Sequence, residues 1–173
     1  MEFYIAQGIS IFTAIVAILS MQLKSMKNIL IATIAANLLA ASTYFLLDSF
    51  SGAGISLIAI IQLIIMYIYN KKDKTPHKIV VGLFIAAYTI YSIINFKNIM
   101  DIFPLMAAIC FALGVAQKKP SMFRIFGLLN PLCWLVYDIY SLAYINSLMR
   151  VGIFTSAFIS MIRLDGFLKK KQK

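Results

Sequence analysis

With 173 residues, 62% of them apolar and only 13% charged, and a mean hydropathy of +0.90, the chain has more apolar surface than a core of this length can bury. That excludes an ordinary soluble domain and makes lipid the expected solvent. The net charge of +10 would suit a nucleic-acid binder, but the basic residues fall between apolar runs rather than along one face, which excludes that partner.

Seven apolar runs follow one another, each near the ~20 residues that carry a helix across a bilayer. The first, 3–23, has no basic leader and no small-x-small cleavage site, so it is expected to stay in the mature protein. Thr13 lies at its middle. After the turn "KSMK", the second run, 28–47, has Asn37 at mid-depth and Tyr44 towards its far end. The third, 52–69, carries Gln62 at its middle and ends in the basic loop "KKDKTPHK". His77 in that loop is the single histidine and has no metal partner in view. The fourth run, 79–96, carries no charge and reads as a connector.

The fifth run, 99–116, contains Pro104 and Cys110. The sixth, 122–142, is the richest: Asn130, Trp134 and Tyr137 stand at i, i+4 and i+7, on one helical face, with Pro131 and Cys133 between them and Asp138 directly after. The seventh, 146–164, carries Arg150, Thr155 and Ser156 before a Lys-rich tail. Cys110 and Cys133 lack CxxC spacing and read as small buried hydrophobes, not as a disulfide or a zinc site.

If the N-terminus is outside, every basic residue except Lys97 and Arg150 falls on the cytoplasmic side. This is the positive-inside pattern of seven spans, N-out and C-in. The tail reads as an anchor beside anionic headgroups. Laying Asn37 on Asn130 also lays Leu39 on Leu132, Tyr44 on Tyr137 and Gln62 on Thr155. Spans one and five then run in the same direction, so the repeats are parallel and span four restores the orientation. The expectation is an all-α polytopic membrane protein in a 3+1+3 arrangement. Residues 1–70 would form a first three-helix bundle, 71–97 a connecting helix, 98–166 a second bundle and 167–173 a basic cytoplasmic tail, all within one integral membrane domain.

The blocks "NLLAASTYFLLDSFSGAGISLIAIIQLI" and "PLCWLVYDIY", with the closing "IRLD", resemble the YgjV family of bacterial inner-membrane proteins over nearly the whole chain. That family is grouped with the SWEET and PQ-loop facilitators, so the resemblance implies seven helices, N-out, in the bacterial cytoplasmic membrane. SWEET-like proteins carry helix prolines in both repeats. Here Pro104 and Pro131 are the candidate hinges, and spans one and two have none, a departure from symmetric rocking. Gln62 stands where YgjV relatives often show a basic residue, which weakens any analogy to a charged cargo.

Polar side chains deep in a bilayer face protein or water, and here five spans place one at about the same level. Asn37, Asn130 and Trp134 are the leading candidates for solute contact, with Gln62 and Thr155 behind them. An aromatic face beside amides suits a neutral polar ligand. The competing reading is that these groups hold helices together, at roughly 0.6–2 kcal/mol each. Tyr44, Tyr137, Asp138 and Arg150 lie nearer the outer side and are candidate gate residues; the alternatives are belt anchors and solvated charges. No carboxylate lies at mid-depth, which favours passive facilitation over proton coupling. There is no HExxH, no Gly-rich phosphate loop and no pair of deep acids, so no enzyme, cofactor or metal is expected. The expected function is alternating-access carriage of a small neutral polar solute (sugar-like, nucleoside or vitamin) through a midplane site. The alternative is a non-transporting receptor, sensor or scaffold. The expected partners are the bilayer, the solute and, as a candidate, a second copy of the chain.

Overall fold

A computed structural model of the chain describes residues 2–46, 50–96, 98–140 and 144–165. Among the described residues there is no strand, and seven α-helices answer the seven runs. They are α1 (Glu2–Met21), α2 (Met26–Leu46), α3 (Phe50–Lys71), α4 (Lys78–Ile94), α5 (Ile102–Val115), α6 (Pro120–Tyr140) and α7 (Tyr144–Asp165).

Local chemistry sets several helix ends. Beyond α3, Asp73 takes a left-handed conformation (φ 51°), and the Lys74 N–H turns back to donate to the Tyr69 carbonyl. Before α5 a 3₁₀ turn, Ile99–Asp101, is closed by a capping box: the Asn98 side chain accepts from the Met100 N–H and Asp101 accepts from the Asn98 N–H. Pro104 therefore falls in the first turn of α5, where a missing N–H costs little. Pro120 opens α6 at the position where its fixed φ suits a helix start.

Four helices have the length and composition to cross a membrane, over Tyr4–Met21, Met26–Thr43, Ala53–Lys71 and Ser147–Asp165. Lys78–Ile94 and Ile99–Val115 are shorter apolar helices. α6 has the length, 21 residues, but Arg124, Asn130 and Pro131 interrupt its apolar run. Large apolar side chains face outwards on every helix, among them Phe12, Leu38, Ile61, Leu83, Met106, Leu129 and Phe158, as an apolar solvent permits.

α2 lies against both α1 and α3, and α6 against both α5 and α7. α1 meets α7, while α4 packs on α5 and α3. The basic turns share one end of the molecule: Lys118 pairs with Asp73, Arg124 donates to the Leu23 carbonyl and Arg163 donates to Gln22. The densest apolar core lies at this basic end, where Met21, Met26, Leu63, Met66, Val115 and Phe123 pack together. A second cluster of Tyr88, Ala108 and Ala112 joins α4 to α5.

Candidate functional site

All seven helices contribute to a cavity of about 210 Å³ above that core. This is below the ~300 Å³ at which ordinary ligand pockets begin, so any occupant is small. Each wall is one helical face. α2 presents Thr33, Ala36, Asn37 and Ala40, and α1 presents Thr13, Ala17, Ser20 and Met21. α6 presents Phe123, Gly127, Asn130 and Trp134. Alanine and glycine leave the space, and the polar side chains stand in it.

Several of those groups are partly engaged with the backbone. Thr13 donates to the Ile9 carbonyl and Thr33 to that of Ile29, each within its own helix (2.9 and 2.7 Å). The Asn37 amide donates to the Thr33 carbonyl at 2.9 Å, whereas the Asn130 amide crosses to α5 and donates to the Ala107 carbonyl at 2.8 Å. Among the described residues each asparagine thus commits one N–H, which leaves a second N–H and a carbonyl oxygen without a protein partner. The register that pairs Asn37 with Asn130 does not extend to their hydrogen-bond partners.

Trp134 is held from two sides. The Arg150 guanidinium lies 4.9 Å from the ring centroid, within cation–π range, and Tyr137 meets the ring edge-on at 6.1 Å. Arg150 lines the cavity with Trp134. Pro131 lines it too and, lacking an N–H, leaves the Gly127 carbonyl on the same wall without its helical donor.

The structure therefore brings Asn37, Asn130, Trp134, Arg150 and Pro131 to one cavity. Gln62 is elsewhere: fully buried, it donates to the Ala112 carbonyl and accepts from the Tyr88 hydroxyl, both at 3.2 Å, tying α3 to α5 and α4. Thr155 faces outwards, with its hydroxyl bonded to the Val151 carbonyl. Tyr137 reaches the site only through Trp134, and Pro104 stays outside the lining. The side chains of Tyr44 and Asp138 lie outside the described residues.

Sequence reasoning did not single out two contributors. Tyr88, from the supposed plain connector, both lines the cavity and anchors Gln62. Arg124, counted above only as a topological charge, is 1% exposed beneath the cavity. The signal was its place five residues into a helix that begins at Pro120, since a charge inside an apolar helix needs partners. Among the described residues no group of His, Cys, Asp or Glu is arranged to hold a metal ion.

In comparison with known proteins, the family model Imp-YgjV, bacterial inner membrane protein, matches residues 4–167. No curated protein and no solved structure matches the chain.

Proposed function

The chain belongs to the Imp-YgjV family of bacterial inner membrane proteins, and we propose that it carries a small, mostly neutral polar solute across that membrane by alternating access. In this reading all seven helices span the bilayer, N-out, and α1–α3 and α5–α7 are two bundles joined by α4, as in SWEET-like facilitators. The cavity is the solute site. Asn37 and Asn130 supply donors and acceptors from opposite bundles, and Trp134 supplies an aromatic edge steadied by Arg150. The protein moves its cargo and does no chemistry on it.

The observation that carries this reading is the cavity, walled by every helix and lined by Asn37, Asn130 and Trp134. A protein that only holds helices together has no need of such a space. Gln62 supports the rival reading of a receptor or scaffold, because its amide is consumed in packing.

The test is the thermal midpoint of the detergent-purified protein against sugars, nucleosides, vitamins and amino acids. A ligand of the folded state raises the midpoint by mass action, about 2.7 kcal/mol at a hundredfold excess over Kd. The expected result is one responsive class whose effect disappears in Asn130→Ala. A hit that survives unchanged in Asn130→Ala and Asn37→Ala would remove those residues from the site.

A further inference from the structure

Beneath the cavity, at the basic end, α1 and the turn after it are tied to α6 and α7 by a set of polar bonds. Arg124 on α6 is at the centre. Its Nε donates to the Met21 carbonyl at 3.1 Å, its Nη2 to the Leu23 carbonyl, and its Nη1 to Asp165 Oδ1 at 2.6 Å. The last carbonyls of a helix lack intrahelical donors and carry the negative end of the dipole, so a guanidinium is well suited to cap them. A turn away, the Gln22 amide donates to both the carbonyl and the hydroxyl of Ser156 at 2.8 Å. The Ser156 hydroxyl donates back to the Ile18 carbonyl at 2.8 Å, and Arg163 donates to Gln22 Oε1 at 2.9 Å.

We infer that this clamp is the gate that closes the cavity towards the cytoplasmic side, an inference that rests on the carrier reading. Its position supports this. Met21 and Phe123 form the apolar floor of the cavity, and Arg124 lies directly after Phe123 in α6. One layer of apolar side chains, then one of polar bonds, seals this end. Among the described residues every bond of the clamp crosses from α1 or its turn to α6 or α7, except Arg124–Asp165, which joins α6 to α7 and fixes the guanidinium. Further along, α1 meets α7 through close apolar contact, Ile18 against the bare backbone of Gly152. Tilting α5–α7 against α1–α3 to open the basic end must break the clamp. Opening the opposite end leaves it whole.

The clamp is also built to part. Among the described residues the buried Asp165 Oδ2 has no hydrogen-bond partner, so within them the carboxylate is held through one oxygen alone. A half-satisfied buried carboxylate makes the closed state less stable than a fully paired one. A joint that must open in each cycle needs that modest hold.

The chain contains its own reporter, since Cys110 lines the cavity. With Cys133→Ala leaving it as the single thiol, its reaction with a membrane-impermeant maleimide can be timed from each face in right-side-out and inverted vesicles. The parent should react slowly from the cytoplasmic face. Asp165→Asn removes the ion pair with little change of shape and should raise that rate roughly tenfold, as a population shift towards the inward-open state requires. Gln22→Ala, away from the buried charge, should raise it in the same direction and covers the case in which Asp165→Asn fails to fold. If the parent reacts from the outer face and neither folded variant speeds the cytoplasmic reaction, the gate is overturned while the carrier reading stands. If Cys110 is reached from neither face in any of them, both fall.

Discussion

Gln62 and Asn130 have the same side-chain chemistry and similar depth, yet only Asn130 turns towards the cavity. Gln62 is enclosed by Tyr88 and the Ala112 carbonyl. Gln62→Leu should therefore lower the thermal midpoint, because the buried Tyr88 hydroxyl loses its acceptor at a cost of about 1–3 kcal/mol. Adding Tyr88→Phe should recover part of the loss, and a double-mutant cycle in detergent measures the coupling. Two plainly additive losses would show that the bond is not a stabilising one. Packing is as tight at Gly114, where an added Cβ would stand 2.9 Å from the Cβ of Phe126 on the neighbouring helix. Gly114→Ala should destabilise by about 1–3 kcal/mol, read in the same melt.

At the level of elements, the seven helices were legible because each apolar run is long and bounded by lysines, prolines or polar turns. The site was legible only in part. Counting along a helix gives depth, and Asn37, Asn130 and Trp134, counted to a similar depth, line one cavity. It does not give the direction a face points, which depends on which neighbours a helix packs against. For that reason Gln62 and Thr155, matched in register, end in such different places: one is fully buried between three helices, the other faces outwards. Arg124 was hidden by a boundary, since starting the sixth run at Met122 leaves the arginine at its lip, while the helix begins at Pro120 and takes it inside. The same helix invites a test of motion. Pro131→Ala supplies the donor that the Gly127 carbonyl lacks and should straighten and stiffen α6. The expected outcome is a higher thermal midpoint with slower solute flux in proteoliposomes; unchanged flux would make the proline a static kink.

For the whole molecule, the carrier reading requires the contact between α1 and α7 to change during each cycle. Ile18 and Gly152 are close enough for a direct check, because a Cβ added at 152 would lie 3.1 Å from Ile18 Cδ1. In a chain free of native thiols, Ile18→Cys with Gly152→Cys joined by a short bridging reagent should stop flux, and a cleavable bridge should restore it on reduction. Flux that continues through the bridged protein would separate this contact from the transport cycle.

Arg124 also bears on how the molecule is made. Its partners arrive in order of synthesis: the Met21 and Leu23 carbonyls precede it, and Asp165 emerges only with the end of the last helix. Until then a guanidinium at the mouth of α6 has backbone oxygens but no counter-charge, and a nascent chain in that condition is poorly suited to settle in lipid. Completion of α7 supplies the counter-charge and ties α6 to α7 through Asp165. The ion pair is therefore complete only when the last helix is present, although the carbonyls it shares the guanidinium with belong to the first helix and its turn.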